Sequence, residues 1–454
     1  MKIQPDLAIL CYFLCTCLFH NSHSFSEPTP SFYKNKIAVL LNINARSVTE
    51  SSISIAEEIV GKENVFVTTN AKDNENSAKQ IVERGYKMIV PAGGDGTLCS
   101  VINAIVFARR QKLKVSDDVE DKPQASDKLP KFAFLPLGTG NGMGMLAGHR
   151  FKGRKNQKIK KMLLKLKEIV KENSNNLDAI PVVKCPMIEI QTDKTIKSEE
   201  KSIVPEEGMK RELCFFAGAG FDSLMLNDFN VIKRWSRNKP GLRRFLGSVA
   251  GYTVALFVRT LPQCLIWGRH KLSIRVTIPK VQRNTLDNYN VNTTYWIDPR
   301  RGDTALEITP TRTESKEASK QTIFPTKVED DRQLIFEGET GIVAAGTTPY
   351  YGGGMKLFPF SRVQPHHMHL RLGRIHPLIG FLNIPWIFRG SYRHYNMGCL
   401  DFLGSDFDVE LSKPYPFQHS GDAVDDDIQR FLLRVADEEI EFVDFLKPRV
   451  VVEF

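Results

Sequence analysis

Two glycine-rich turns hold the residue types in this chain that could do chemistry. The first, GGDGT at 93–97, follows the apolar run Met88–Val90 and precedes apolar residues at helical spacing from Leu98. This order of strand, turn and helix lets the backbone approach a phosphate closely, and the helix N-terminus favours negative charge. Asp95 would repel phosphates unless a cation intervenes or the carboxylate takes a proton. The turn therefore predicts a site for Mg²⁺, a nucleotide or both; the alternative is an ordinary strand-to-helix turn.

A second turn repeats this plan downstream. Residues 132–144 read FAFLPLGTGNGMG, a short apolar strand followed by a glycine turn and a helix start. Parallel strands of an α/β sheet end at one edge, so the two turns are expected to converge on one crevice. The predicted nucleotide- and phosphate-binding residues are Gly93, Gly94, Gly96, Thr97, Gly138, Thr139, Gly140 and Asn141.

The two turns together resemble the diacylglycerol kinase catalytic-domain superfamily, which includes sphingosine and ceramide kinases and bacterial lipid kinases. NAD kinases and phosphofructokinases share the GGDG-type turn, whereas PLGTGN is similar to the lipid-kinase branch. Three later stretches agree in order: FFAGAGFDS at 215–223, PYYGGGMKLFPFS at 349–361 and PFQHSGDAV at 416–424. The resemblance implies an α/β N-terminal domain with a parallel sheet, similar to phosphofructokinases and NAD kinases, followed by a mostly β C-terminal domain.

The resemblance also implies an activity and a site. The activity would be that of an ATP-dependent lipid kinase, which transfers the γ-phosphate of ATP to a hydroxyl of a lipid such as diacylglycerol or a sphingoid base. Asp95 would orient Mg²⁺ or take the acceptor's proton, and Asp422 would be a second catalytic and metal-binding carboxylate. Asp222 would hold the lipid acceptor; a turn-capping role is the alternative for this residue.

The chain departs from the resembled pattern at three places. The first strand runs into Asn42–Arg46 instead of an Asn-Pro turn with a glycine. Gly142 stands where many family members carry Asp, and Ser420 and Asp422 stand where they carry Asp and Glu. These departures keep two alternatives open. One is a soluble nucleotide kinase of the NAD-kinase type, and the other is a catalytically weak lipid- or nucleotide-binding regulatory protein. Diacylglycerol, sphingoid base, ceramide and monoacylglycerol all stay open as acceptors.

Composition sets the remaining bounds on function. The 454 residues contain 62 Lys and Arg against 52 Asp and Glu, a formal net charge of +10. Such a balance suits anionic partners such as a nucleotide or a lipid substrate at an acidic membrane surface. No nucleic-acid-binding motif accompanies the charge, so we expect no nucleic-acid partner. The cysteines, 8 in all, indicate neither a disulfide framework nor a zinc site, because they are scattered.

The ends and boundaries of the chain are predicted as follows. The apolar run Leu7–Phe19 behind Lys2 is typical of a signal peptide. It predicts entry into the secretory pathway with peripheral membrane association, or plastid delivery through a bipartite leader as the alternative. The predicted units are a leader at 1–30, a nucleotide-binding catalytic domain at 35–175, a β-rich lipid-acceptor domain at 178–445 with a polar insertion at 281–332, and a terminal strand at 446–454.

Several apolar stretches allow two interpretations each. The basic amphipathic stretch Ile159–Val170 predicts a core helix with a solvated lysine face, or a helix on anionic lipid. Leu242–Phe257 predicts a helix that packs on its own sheet or borders an acyl-chain pocket. Ile375–Tyr395, aromatic with flanking cations, predicts a core strand pair or a membrane-interface lip. His367 and His369 alternate as a metal pair would, but no carboxylate lies near them in sequence, which disfavours a metal site.

Overall fold

The chain is described here from a computed structural model, which covers residues 35–45, 48–117, 128–138, 141–149, 151–193, 212–236, 238–246, 249–279, 293–308, 328–329, 332–374, 376–392, 398–424 and 426–446. The predicted leader, Thr139, Gly140, Arg46, and most of the 281–332 insertion and 446–454 strand lie outside the described residues.

The strands in chain order are β1 Ile37–Asn42, β2 Val65–Thr68, β3 Met88–Gly93, β4 Lys131–Phe132, β5 Leu135–Pro136, β6 Val182–Thr192, β7 Glu212–Cys214, β8 Phe216–Gly220, β9 Leu272–Pro279, β10 Tyr295–Asp298, β11 Thr304–Glu307, β12 Val328–Glu329, β13 Arg332–Thr340, β14 Ile342–Gly346, β15 Met368–Gly373, β16 Cys399–Gly404, β17 Asp406–Tyr415, β18 Phe417–His419, β19 Asp422–Ala423 and β20 Ile428–Val443. The helices are α1 Glu50–Val60, α2 Ala71–Glu83, α3 Asp95–Asp117, α4 Lys155–Glu172, α5 Phe221–Trp235, α6 Pro240–Leu246, α7 Val249–Ala255, α8 Leu261–Trp267, α9 Pro377–Leu382 and α10 Ile384–Arg389.

The N-terminal strands form a parallel sheet that is covered on both faces. β1 pairs in parallel with β2 and β3, and β3 pairs in parallel with β4 and β5. In β1 the side chains of Ile37, Val39 and Leu41 pack toward α1 and α4, while Ala38 and Leu40 pack toward α2 and α3. Strands buried on both faces need a near-continuous apolar sequence, which β1 and β3 both have. This arrangement confirms the predicted α/β N-terminal region.

The C-terminal half is rich in antiparallel strands, as predicted. β8 and β14 to β16 run antiparallel to their neighbours in a sheet ordered β11-β10-β16-β15-β14-β8-β18-β19. The other sheet has the order β12-β13-β9-β17-β20-β4-β3-β1-β2 and so joins both halves of the chain. The joining strand is β20, which pairs antiparallel with β17 and β6 and in parallel with β4, where Phe442 lies opposite Phe132. The division into separate domains stays a prediction.

Two apolar stretches now have a definite structure. The apolar face of α4 is fully buried at Ile159, Met162, Leu163 and Val170. Of the two interpretations of this stretch, a core helix and a helix on anionic lipid, the structure therefore has the core helix. The predicted strand pair within Ile375–Tyr395 is wrong, because the described part of that stretch forms the short helices α9 and α10 with several exposed apolar side chains. Pro377 and Pro385 each lie in the first turn of one of these helices, where the missing N–H costs nothing.

The two histidines considered for metal binding have other partners. His369 is buried, and its Nε2 lies 2.8 Å from Asp401 Oδ1, an oxygen that also accepts from Arg371 Nε at 2.6 Å. His367 contacts the carbonyl oxygens of Pro365 and Thr293 instead. The pair therefore does not converge on one ion, and a carboxylate on the neighbouring strand does lie beside His369.

Within the described residues, no helix is both long and apolar enough to cross a membrane.

Candidate active site

The two glycine turns touch each other at the carboxyl ends of β3 and β5. The backbone N–H groups of Leu137 and Gly138 both donate to Gly93 O at 2.8 Å. A Cβ on Gly138 would collide with the Gly94 Cα, so only glycine permits this approach of the two chains. A Cβ on Gly93 would likewise collide with the Thr97 side chain. The convergence expected from the sequence is thus present for the described part of both turns.

Asn141 closes the second turn onto itself. Its Oδ1 accepts from Gly138 N at 3.0 Å, and its Nδ2 donates to Gly138 O. Asn141 has φ +45°, a left-handed conformation that asparagine tolerates better than most residues. Its amide is thereby engaged in shaping the turn. Thr139 and Gly140, which were predicted to bind nucleotide, lie outside the described residues.

Asp95 opens α3 and fastens the second turn to the first. Its Oδ2 accepts from Gly142 N at 2.9 Å and its Oδ1 accepts from Met143 N at 3.4 Å. The side chain is buried, and this burial raises the pKa of Asp95 to about 6. The two backbone hydrogen bonds oppose the rise, while the charge of Asp422 adds to it. Each carboxylate oxygen keeps a further lone pair for a ligand.

Asp422 reaches the same helix N-terminus from a tight hairpin. β18 and β19 pair His419 with Asp422, and Ser420 and Gly421 between them have φ +47° and +86°. Two successive positive φ values are those of a two-residue hairpin turn of type I′. A Cβ on Gly96 would collide with the Asp422 carboxylate, so the absence of a side chain at 96 makes room for it.

The charge of Asp422 is disfavoured although its side chain retains exposed surface. Partial desolvation by the surrounding protein raises the pKa of Asp422, and the charges of His419 and Lys233 oppose this rise. The N-terminus of α3 also favours negative charge nearby. Two carboxylates with raised pKa values therefore face one helix end, an arrangement in which a cation would relieve the cost of ionising both.

Ser420 is buried under the hairpin and does not line the cleft. Its Oγ accepts from Phe215 N at 3.2 Å and from Cys99 Sγ at 3.0 Å, and its own N–H donates to Phe216 O at 2.8 Å. These bonds connect the hairpin both to the chain entering β8 and to α3. Ser420 therefore positions Asp422 and offers no ligand itself.

Asp222 lies in the first turn of α5, directly after β8. Its Oδ2 accepts from the Tyr351 hydroxyl and from Gln418 Nε2, the latter at 3.3 Å, and Gln418 Nε2 also donates to the Tyr351 hydroxyl oxygen at 2.8 Å. Among the described residues, the other carboxylate oxygen of Asp222 has no hydrogen-bond partner, and it is buried. Burial raises the pKa of Asp222, and the hydrogen bond from Tyr351 opposes this. The group thus has one oxygen held by Tyr351 and Gln418 and a second oxygen that is closed to solvent.

Tyr351 lies between Asp222, whose carboxylate it contacts, and the carboxylates Asp95 and Asp422 at the N-terminus of α3. Its carbonyl oxygen would lie 3.0 Å from a Cβ on Gly142, the residue that donates to Asp95. The turn that follows Tyr351 has φ +74° at Gly353 and +85° at Gly354, and a Cβ on Gly354 would lie 2.5 Å from Met145 Sδ. The glycine-rich segment therefore packs on the chain just after the second turn.

Sequence reasoning did not identify Tyr351, Gln418 or the Asn42 side chain as members of this region. Asn42 ends β1, and its Nδ2 lies 3.5 Å from Thr97 Oγ1, so the first loop does reach the GGDGT turn. Tyr351 lies directly before the glycine run 352–354, and that position was its only signal in the sequence.

The donors present fit one cation shared with phosphates better than a cage made by protein alone. Among the described residues, no group of three or more His, Cys, Asp or Glu side chains could hold a metal ion. Mg²⁺ commonly binds through one or two carboxylates plus substrate phosphates and water. Asp95 and Asp422 supply that number.

Comparisons with known proteins match parts of this sequence. Residues 36–182 match the family model of the diacylglycerol kinase catalytic domain. A Stenotrophomonas maltophilia protein described as "Probable lipid kinase YegS-like" is 36% identical over 84 residues, which are 18% of this chain and 23% of that protein. The match therefore spans less than a quarter of that relative's length.

Solved structures cover more of the chain at lower identity. A diacylglycerol kinase from Bacillus anthracis str. Sterne is 10% identical with a TM-score of 0.42, covering 92% of this chain and 98% of that one. An NAD kinase from Archaeoglobus fulgidus in complex with ATP is 13% identical with a TM-score of 0.33, covering 90% and 93%.

The resemblance to the diacylglycerol kinase catalytic domain that the two glycine turns predict is confirmed for residues 36–182, which match the family model. This match covers about a third of the chain, so it describes that part and not the whole protein.

Proposed function

We propose that this protein is an ATP-dependent lipid kinase that transfers the γ-phosphate of ATP to a hydroxyl of a lipid such as diacylglycerol or a sphingoid base. The observation that carries the proposal is the meeting of both glycine turns with Asp422 at the N-terminus of α3. Phosphoryl transfer depends mostly on positioning and on neutralising charge, and a site with few side chains suits it.

In this proposal the backbone of the two turns approaches the nucleotide phosphates. Glycine at 93, 94, 96 and 138 allows the turns to pack closely on each other, on Thr97 and on Asp422, and this packing shapes the backbone that would face the phosphates. The Thr97 hydroxyl is held near Asn42 in the same turn. Asp95 fixes the second turn through the N–H groups of Gly142 and Met143. Asp95 and Asp422 are the residues that would hold a cation. Mg²⁺ would there neutralise part of the phosphate charge. With its exposed surface, Asp422 is the better placed of the two to touch a ligand.

The acceptor would be held on the opposite side by Asp222. Its second carboxylate oxygen, which is buried in this structure, would accept a hydrogen bond from a lipid hydroxyl or head group once the acceptor displaces the side chains that cover it, while Tyr351 and Gln418 fix the other oxygen. The raised pKa of Asp222 also makes the carboxylate a suitable acceptor for a proton as the hydroxyl is phosphorylated. The lipid substrate would be met at a membrane surface, with peripheral association of the protein.

The test is transfer of ³²P from γ-labelled ATP and Mg²⁺ by the full chain. The acceptors are diacylglycerol, sphingosine, ceramide and monoacylglycerol in mixed micelles, with NAD as a soluble acceptor. We expect one lipid to be labelled, and Asp422→Asn to lower the rate about 100-fold or more. Asp178→Asn, which changes an exposed carboxylate that belongs to neither glycine turn and contacts none of the site residues named above, is the matched control and should leave the rate unchanged.

Two outcomes would overturn the proposal. Labelling of NAD without labelling of lipid would identify a soluble nucleotide kinase. Binding of ATP by well-folded protein without turnover on any acceptor would identify a binding or regulatory protein.

A further inference from the structure

Two helical segments carry a concentration of exposed apolar side chains. One comprises α7, the π-helical turn Leu256–Thr260 and α8; the other comprises α9 and α10. We define the apolar patch by six of their residues, whose exposed fractions are 51% for Phe257, 66% for Val258, 70% for Ile266, 66% for Trp267, 71% for Leu382 and 51% for Trp386. Large apolar side chains exposed together mark an interaction surface.

The two segments form one continuous surface. The rings of Phe257 and Phe381 meet edge to face with centroids 5.7 Å apart. The rings of His270, just after α8, and His376, just before α9, are 5.1 Å apart. Although the two segments are more than a hundred residues apart in sequence, their exposed apolar side chains therefore lie on the same side of the protein.

The outward position of the first segment is fixed from beneath. Asp228 of α5 is 3% exposed and accepts from Arg259 Nε at 3.0 Å, from Thr260 Oγ1 at 2.9 Å and from Gln263 Nε2 at 3.4 Å. These three donors come from the π-helical turn and the start of α8. A buried carboxylate that collects three donors holds this turn in place, so Phe257 and Val258 point outward as part of a defined structure.

The charges around the apolar patch select its occupant. Residues 249–275 contain Arg259, Arg269, Lys271 and Arg275 and no Asp or Glu, and residues 374–392 contain Arg374 and Arg389 and likewise no acid. In the structure Arg259 pairs with Asp228 and Lys271 with Glu339, whereas Arg269, Arg374 and Arg389 have no ion pair among the described residues. Apolar side chains bordered by these three arginines suit the anionic surface of a lipid bilayer, where aromatic rings and arginines both lie at the head-group level. A second copy of this chain would bring two sets of these arginines together, which opposes self-association through the patch.

The patch is also connected to the acceptor side of the site. α5 begins beside Asp222 and packs on α7, and Ala423, next to Asp422, packs on the cluster of Leu226 and Phe229 beneath α7. A bilayer against the patch would thus lie next to the helix that presents the acceptor carboxylate. This step rests on the proposed function.

We propose that the apolar patch is the surface by which this protein docks onto an anionic lipid bilayer. The aromatic and aliphatic side chains enter the interface, and Arg269, Arg374 and Arg389 meet the head groups. Lipid acceptors reach Asp222 from this side. Docking is independent of ATP, because no residue of the patch belongs to either glycine turn.

The test is sedimentation of the full chain with vesicles, without nucleotide. The vesicles are phosphatidylcholine alone or phosphatidylcholine with phosphatidylserine. We compare the parent with the triple variant Phe257→Ser, Ile266→Ser and Trp386→Ser. The control variant Val67→Ser, Leu164→Ser and Val363→Ser removes three apolar side chains that are also exposed, at 45%, 43% and 54%, but lie elsewhere. We expect the patch variant to bind anionic vesicles at least about 30-fold more weakly than the parent and the control.

Activity assays separate this proposal from the proposed function. Phosphorylation of a short-chain acceptor dissolved as monomers should be retained by the patch variant, while phosphorylation of the same head group in vesicles should fall. If vesicle binding depends on the patch but no lipid is ever phosphorylated, the docking surface stands and the lipid-kinase proposal fails.

Three results would overturn the docking proposal. The patch variant could bind vesicles as well as the parent, or the parent could bind neutral and anionic vesicles equally in low and high salt. The parent could also fail to bind vesicles and elute as a dimer that the patch variant converts to a monomer, in which case the occupant is a second copy.

Discussion

The raised pKa of Asp95 predicts an unusual dependence of stability on pH. Burial holds this pKa at about 6 in the folded chain, against an ordinary value of 3.8. Between these values the folded protein keeps a proton that the unfolded chain releases, so the free energy of unfolding falls as pH rises. The favourable contribution is complete below about pH 4 and is lost as pH passes through about 6. At 1.36 kcal/mol per pKa unit, the loss is about 3 kcal/mol.

The perturbation that isolates this effect is Asp95→Asn. The amide keeps the shape of the side chain and one acceptor for Gly142 N–H, but it turns a donor toward Met143 N–H. That mismatch costs stability equally at every pH, because the amide does not titrate. The informative quantity is therefore the change with pH in the difference between the two proteins. From pH 4.5 to 7.5 the parent should lose about 2 kcal/mol relative to the variant, because part of the loss of about 3 kcal/mol has already occurred at pH 4.5.

The assay is equilibrium urea unfolding at four pH values across this range. Fluorescence of the 4 tryptophans and far-UV circular dichroism should give coincident transitions, which is the condition for extracting a free energy. Asp178→Asn, a change at an exposed carboxylate, is the control and should follow the parent at each pH. A difference between parent and Asp95→Asn that stays constant within about 0.5 kcal/mol would refute the reasoning, since Asp95 would then ionise as an exposed carboxylate does.

Three further substitutions test the site. Gly96→Ala should keep or raise the melting temperature, because alanine stabilises a helix by up to about 1 kcal/mol relative to glycine. The same change should lower kcat about 100-fold, because the added Cβ displaces the Asp422 carboxylate. An unchanged kcat would show that Asp422 takes no part in the reaction. Tyr351→Phe should lower kcat/KM for the acceptor about tenfold while the KM for ATP stays constant, and equal effects on both substrates would contradict a role at Asp222. Ser420→Ala should cost about 1 to 3 kcal/mol of stability in urea unfolding, because Phe215 N–H loses its buried acceptor; a loss below about 0.5 kcal/mol would show that the hairpin does not depend on this bond.

The part of the site that could be predicted from sequence is the pair of glycine turns, because each turn depends on residues that are close together in the chain. Apolar runs followed by glycine turns fix strand ends, and parallel strands bring those ends to one edge of a sheet. That reasoning was sufficient to place Gly94 beside Gly138. The apolar stripe of α4 identified a core helix in the same way, since its period matches one helix face.

The contacts that hold the carboxylates could not be predicted, because they join distant parts of the chain. Tyr351 lies 129 residues from Asp222, and the latter's other donor, Gln418, lies 196 residues away. Asp401 is 32 residues from His369 and meets it only because β15 and β16 pair in register. Linear proximity had suggested that no carboxylate was near that histidine. The strand prediction within Ile375–Tyr395 failed for a related reason: apolar content alone does not distinguish a buried strand from an exposed short helix.

The departure at Ser420 removes one of the two acids of the resembled pattern, and Asp422 keeps the other. Position 420 is buried against Phe215 N–H and the Cys99 thiol, so a carboxylate there would carry a desolvation cost beside two carboxyl groups whose pKa values are already raised. Serine supplies the hydrogen bonds that the hairpin needs without that charge. The turn then presents its acid at Asp422, where exposed surface leaves room for a ligand. Because the acid in the cleft is retained, the replacement at 420 does not by itself favour a catalytically weak protein, and the behaviour of Asp422→Asn distinguishes the two possibilities.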